Sequence, residues 1–157
     1  MQFFLKMVLY GGKDKMNEEF ITKSIITYLK NQGWNIFSFD FPQSGTGFLI
    51  HPNNRLNKNK KAQIPDIIAN KEDICIIMEN KDHFSFDDFL KLYDLKTNDI
   101  YQNDLNRLKR RLKFSKILYG VGLPNNKNIL DKILENKRYI DFCYLVDKNR
   151  DITFCSL

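Results

Sequence analysis

Asp66, Glu79 and Lys81 are the residues whose types and spacing could do chemistry together. They belong to Ile64-Pro65-Asp66-Ile67-Ile68-Ala69-Asn70 and Ile74-Cys75-Ile76-Ile77-Met78-Glu79-Asn80-Lys81, two apolar runs parted by Lys71-Glu72-Asp73. Folded as a hairpin around Glu72-Asp73, the runs set Asn70 against Cys75, Ile68 against Ile77 and Asp66 against Glu79. Directly opposed residues of an antiparallel pair stand only about 5 Å apart at Cβ. Two carboxylates that close repel each other unless a cation sits between them. Lys81 lies two residues past Glu79 and so points to the same face. The spacing therefore assembles two acids and an ammonium at one end of a hydrophobic hairpin. A surface hairpin with a charged face is the simpler alternative. Against it, Ile64, Ile67, Ile68, Ile74, Ile76, Ile77 and Met78 occupy both faces, which suits strands buried in a sheet covered by helices.

Several elements must position these groups. Asn17 to Gln32 reads as a helix with Asp14 or Asn17 as cap, an apolar stripe of Ile21, Ile25, Tyr28 and Leu29, and Gly33 as its stop. Glu18 precedes Ile21, Ile25 and Leu29 by three, seven and eleven residues and shares their face. An acid there is also favoured simply by the positive helix N-terminus. Glu19 points more to the side. Trp34 to Phe41 alternates as a strand. The turn Pro42-Gln43-Ser44-Gly45-Thr46-Gly47 has backbone N–H groups that could approach phosphate, though an ordinary loop reads the same way. Leu49 to Gln63 is polar, without periodicity, and carries Arg55, Lys58, Lys60 and Lys61; it is expected to be a mobile basic loop. His51 has no partner motif.

Ser85 opens a helix in a pattern like a capping box, with Phe86, Phe89, Leu90 and Tyr93 as the expected apolar stripe. A second helix is expected from Asn98 to Lys113, with Tyr101, Leu105, Leu108 and Leu112 inward and Gln102, Asn106 and Lys109 on another face. Arg107, Lys109, Arg110, Arg111 and Lys113 crowd its last turns. A strand over Lys116–Val121, a helix marked by Ile129, Leu130, Ile133 and Leu134, and strands over Tyr139–Val146 and Ile152–Cys155 complete the chain. Tyr119, Tyr139, Phe142 and Tyr144 read as core.

The 157 residues suit one domain over 1–157, with 1–15 as an N-terminal extension or strand. Hydrophobic residues make up 43% and aromatics 13%, which argues against disorder. The 25 basic and 19 acidic side chains leave a net charge of +6, which suits a polyanionic partner. Cys75, Cys143 and Cys155 lie in apolar runs without CxxC spacing, so reduced, buried thiols are expected rather than a zinc site. No apolar run is long enough to cross a membrane, and a cytoplasmic or nucleoid-associated protein is expected.

Pro65-Asp66 followed by Glu79-Asn80-Lys81 resembles the signature of the PD-(D/E)xK nuclease superfamily. Glu18-Glu19-Phe20-Ile21, running to Leu29 and Gly33-Trp34, is similar to the opening helix of type I restriction subunits. The Ser-Gly-rich turn is similar to a segment that precedes the PD strand of Holliday-junction resolvases. The resemblance implies an α/β fold of the restriction-endonuclease type, a mixed β-sheet flanked by helices. It implies Mg²⁺-dependent hydrolysis of DNA phosphodiesters, with Mn²⁺ able to substitute and no small-molecule cofactor. Asp66 and Glu79 would hold the metal, Lys81 would orient the attacking water and bind phosphate, and Glu18 (Glu19 as second choice) would complete the acidic cluster. Ser44, Thr46, Arg55, Lys58, Lys60, Lys61, Gln102, Lys109 and Arg110 become candidate DNA contacts. A type II restriction endonuclease acting as a homodimer ranks first, and a junction resolvase or homing endonuclease next. From another class comes a DNA-binding module without activity, against which the intact Asp66, Glu79 and Lys81 count.

Overall fold

The computed structural model describes residues 15–53 and 61–157. The expected N-terminal extension, Asp14 as a cap, and Arg55, Lys58 and Lys60 lie outside them. Helix α1 spans Glu18–Asn31, and Asn17 caps it by accepting the Phe20 N–H at 2.8 Å. Gly33 ends it in the left-handed region at φ +87°, where glycine has no Cβ penalty. The Gly33 and Trp34 N–H groups then satisfy the Lys30 and Leu29 carbonyls, both at 3.0 Å.

Six strands follow: β1 (Asn35–Phe39), β2 (Ile67–Lys71), β3 (Ile74–Asn80), β4 (Lys116–Pro124), β5 (Phe142–Val146) and β6 (Ile152–Ser156). They form one sheet in chain order. β1–β2, β2–β3 and β5–β6 pair antiparallel, while β3–β4 and β4–β5 pair parallel. Parallel neighbours need a crossover. Helices α2 (Phe86–Thr97) and α3 (Gln102–Leu112) provide the first, and α4 (Lys127–Glu135) the second. The result is the expected fold class, a mixed α/β sheet flanked by helices.

The β2–β3 hairpin has the expected register, with Asn70 opposite Cys75 and Ile68 opposite Ile77. Glu72 turns it with a positive φ of 52°. Successive side chains alternate between two apolar layers. Ile68, Cys75, Ile77, Val121 and Leu145 pack with Phe89, Leu92, Leu105 and Ile133 on the layer of α2, α3 and α4. Ile67, Ala69, Ile76, Met78, Phe142 and Tyr144 pack with Phe20, Ile21, Ile25 and Leu29 of α1 on the other. This double burial explains why β2 and β3 read as unbroken apolar runs.

Several expectations need correction, among them the strand expected over Tyr139–Val146, which starts only at Phe142 after a 3-10 turn over Lys137–Tyr139. The inward stripe of α2 is Phe89, Leu92 and Leu95, each about 1% exposed or less, whereas Phe86, Leu90 and Tyr93 are 41–42% exposed. Two apolar rows run side by side on this helix, and the sheet covers only one; Phe86 and Tyr93 instead meet Tyr139 edge-on. The segment before α3 is not one continuous helix. Asn98 accepts the Ile100 N–H at 3.1 Å and starts a separate 3-10 turn, Asp99–Tyr101. β4 runs on to Pro124, past Val121, because it pairs with β3 to Asn80 and with β5 to Val146. Among the described residues no helix is long and apolar enough to cross a membrane. All three cysteines are free, with Cys75 and Cys143 buried and Cys155 half-buried.

Candidate functional site

The strand period decides which layer each acid faces. Ile68 and Ile77 face the α2 layer, so Asp66 and Glu79, each two residues along, face it too. Asp66 extends the hairpin one residue beyond β2, its N–H donating to the Met78 carbonyl at 2.9 Å. Both carboxylates are buried, Asp66 at 6% and Glu79 at 4% exposure. The Asp66 Oδ2 accepts the Asn80 N–H at 2.6 Å, and the two acids lie close enough to act on each other's ionisation. The two buried carboxylates thus come together near the end of β3, one position beyond the last ladder pair, Ile67 opposite Met78.

A cation does sit on this pair, and it is Lys91. From the first half of α2 its Nζ reaches the Glu79 Oε1 at 2.8 Å and the Ile64 carbonyl at 3.5 Å. On the opposite layer, the first turn of α1 brings Glu18 around the sheet end, where its Oε2 lies 3.6 Å from the Lys81 Nζ. The four groups form two acid–lysine pairs side by side, Glu79–Lys91 and Glu18–Lys81. Asp88, half-buried on α2, lies within electrostatic reach of both lysines.

Burial and like charge leave the acids unwilling to ionise. Burial pushes the Asp66 carboxyl up to about 7; the Asn80 N–H opposes this, and the Glu18 charge adds to it. Burial, then the Asp66 charge, holds Glu79 well above the usual carboxylate range, with Lys91 opposing. Burial works against charging Lys91 and Lys81, but the acids outweigh it. Glu79 leads for Lys91 and Glu18 for Lys81, and both ammonium groups sit above the usual lysine value.

Two desolvated carboxylates side by side suit a small divalent cation. Mg²⁺ typically takes one or two carboxylates and completes its shell with water and phosphate oxygens. Asp66 and Glu79 supply that number. Among the described residues no group of three or more His, Cys, Asp and Glu side chains could hold a metal ion, since Glu18 is turned toward Lys81. The donor set thus fits a carboxylate-poor, water-rich Mg²⁺ site rather than a fully protein-built cage.

Asn80, between Glu79 and Lys81, points to the α1 layer and is fully buried. Its Nδ2 donates to the Thr22 Oγ1 at 3.1 Å, tying β3 to α1 one turn past Glu18. The Lys81 N–H donates to the Gly122 carbonyl at 3.0 Å. Gly122 needs to be glycine for a steric reason. A Cβ there would collide with the Ile25 Cδ1 and the Asn80 Oδ1, closer than real Cβ contacts come. Gly122→Ala is expected to cost about 1–3 kcal/mol of stability through overpacking, measured by urea denaturation, and to shift Asn80 and so Glu18 relative to Lys81. Stability and activity both unchanged would mean that this crowding has no consequence.

The expected DNA contacts divide by position. The turn bearing Ser44 and Thr46 adjoins the site, because the Asp40 N–H donates to the Asp66 carbonyl at 2.8 Å. Its hydroxyls are spent locally: Ser44 donates to Asp40 at 2.9 Å and Thr46 to the Phe39 carbonyl at 2.6 Å. Lys61 is exposed, and its carbonyl accepts the Tyr101 hydroxyl at 2.7 Å. Gln102 is exposed and bonds Asn106 on its own helix at 3.2 Å. Lys109 and Arg110 are exposed in the last turn of α3. The chain after that turn bonds Asp73 at the hairpin tip. That tip is six residues of strand from Glu79, roughly 20 Å at the usual rise. Glu19 pairs with Lys23 at 2.6 Å and stands apart from the carboxylates, so Glu18 is the helix-borne acid at the cluster.

Sequence reading passed over Lys91, Asp88, Asn80 and Thr22. The only sequence signal for the first two is their spacing of three on a helix, which puts them on one face. Nothing local tells that this face meets Glu79.

No family model matches the chain, and no curated protein does. A crystal structure of an XisH family protein from Nostoc punctiforme is similar at 15% identity and a TM-score of 0.36, covering 85% of this chain and 95% of that one. A likeness that distant carries no argument about activity.

Proposed function

We propose that this chain is a Mg²⁺-dependent endodeoxyribonuclease, of the type II restriction kind, acting as a homodimer. The observation that carries the reading is the buried Asp66–Glu79 pair at the mouth of the sheet, with Lys81 beside it. Burying two adjacent acids is costly for a fold, and a metal-dependent hydrolase gives that cost a use. Asp66 and Glu79 would hold Mg²⁺, with Mn²⁺ able to replace it. When bound, the ion would polarise a phosphate oxygen, acidify a water and offset charge on the transition state.

The protein's own groups do the rest. Lys81, held by Glu18, presents three N–H donors that can orient the attacking water and bind a phosphate oxygen. Glu18 keeps that ammonium at the strand end. The net charge of +6 favours the polyanionic substrate. Exposed Lys61, Gln102, Lys109 and Arg110 would contact the DNA backbone. One such centre cuts one strand, so double-strand cleavage calls for two copies related by a two-fold axis.

The pairing of Glu79 with Lys91 and of Glu18 with Lys81 also suits a module that binds DNA without cutting it. One experiment separates the readings. The pure protein is incubated with Mg²⁺ or Mn²⁺ and either a plasmid or a synthetic four-way junction. Discrete plasmid fragments are expected. Paired nicks confined to the junction would assign a resolvase instead. DNA binding with no cut in either substrate would leave the inactive module. A chain that stays monomeric in solution and on DNA would overturn the homodimer.

A further inference from the structure

We propose that Lys91 is a resident counter-ion, which occupies Glu79 when no metal is bound and must move aside to Asp88 before a divalent cation can enter. The inference rests on the metal-dependent reading above. Its basis is geometric. Glu79 is 4% exposed, and the nearest cation to its Oε1 is the Lys91 Nζ at 2.8 Å. A buried carboxylate this close to Asp66 needs a positive charge or a proton, and Lys91 supplies the charge from within the chain. The same oxygen is one of the few donors available to a metal, because among the described residues no third acid closes the set. Lys91 and a divalent cation therefore compete for one position.

A place for Lys91 to go is already built. Asp88 lies three residues earlier on α2, on the same face. It is half-buried, and its charge acts on both Lys91 and Lys81. The Lys91 side chain is 30% exposed, so it can rotate without disturbing the apolar row of Phe89, Leu92 and Leu95. A swing from Glu79 to Asp88 exchanges one carboxylate partner for another and leaves the Glu79 oxygen open. The device keeps the acids paired in the metal-free protein and sets a threshold that only a divalent charge passes.

The test is titration calorimetry with Mn²⁺ and with Mg²⁺ at pH 8, on the full chain and without DNA. Lys91→Met is expected to bind the metal about 10- to 100-fold more tightly, the size of effect that groups bonded to a metal's ligands typically have on affinity. Its melting temperature without metal is expected to fall, and saturating Mn²⁺ is expected to restore it. Lys91→Arg keeps the charge and is expected to keep the wild-type affinity. Asp88→Asn removes the alternative partner and is expected to weaken metal binding. Because it leaves Glu79 and Lys91 paired, it tests the idea even if Lys91→Met fails to fold. Wild-type binding with unchanged or weaker binding in Lys91→Met overturns the counter-ion role alone. Unchanged affinity in Asp88→Asn overturns the swing. If neither the wild type nor Lys91→Met binds metal, the metal-dependent function falls and the counter-ion role falls with it.

Discussion

Asp66→Asn is expected to abolish Mg²⁺-dependent cleavage and to make the protein more stable at neutral pH. The activity loss should be on the order of 10³-fold or more, since removing even one preorganised charge-stabilising donor from an enzyme costs about 10²–10³. The stability gain follows from the Asp66 carboxyl, which burial raises from an ordinary 3.8 to about 7. Below about pH 4 this group is protonated in the folded and unfolded chains alike, and it costs nothing. As pH rises from there, the unfolded chain gives up its proton and the folded chain does not, so stability drains away until the pH passes about 7. At roughly 1.4 kcal/mol per unit, the penalty above neutrality is on the order of 4 kcal/mol. Asparagine is neutral throughout. Its Oδ1 can keep the Asn80 N–H bond, and its amide can donate to Glu79.

The variant should therefore match the wild type near pH 4 and exceed it increasingly toward pH 8. Thermal melts across that range, alongside a plasmid assay, measure both effects. Adding Mg²⁺ should stabilise the wild type and not the variant, because binding to the native state alone raises stability. A variant that cuts at the wild-type rate would sink the assignment of Asp66. A variant that is inactive but no more stable at pH 8 would mean that the carboxyl ionises freely in the fold.

Leu92→Ala is expected to cost about 2–5 kcal/mol, the range for emptying a buried leucine site, while Leu90→Ala costs within about 0.5 kcal/mol. The two leucines are two residues apart on α2 and differ in what covers them. Leu92 is fully buried against the sheet, and Leu90 is 42% exposed. Urea denaturation at matched protein concentration reads the difference directly, because the midpoint should move for one variant only. Equal losses would mean that something covers the outer row in solution. Leu92→Ala should also lower activity more than its stability loss explains, since α2 carries Lys91 and Asp88 to the site.

These two cases mark where sequence reading succeeds and where it stops. The Asp66–Glu79 opposition was legible because a hairpin is local. Two apolar runs and a two-residue turn leave one register that keeps the isoleucines inside, and period two then sets the acids on one face. Helix α1 was legible for similar reasons: Asn17 and Gly33 bound it, and its stripe has one sensible orientation. The layer that each element would cover was not local. On α2 two apolar rows lie side by side, and propensity and periodicity score them alike. Only packing against Tyr119 and Val121 of β4 and the other residues of that layer chose Phe89, Leu92 and Leu95.

The amino-acid sequence alone determined the acids, the lysine of the hairpin, their common face and the alternation that makes a helix-covered sheet. The tertiary structure alone decided their charge state. It brought Lys91 and Asp88 from one layer and Glu18 and Thr22 from the other to the same strand end. Those contacts cross 12 to 63 residues of chain, and their strength depends on burial. Desolvation is a property of the packed whole. It turns two ordinary carboxylates into a pair whose ionisation burial and mutual repulsion both oppose.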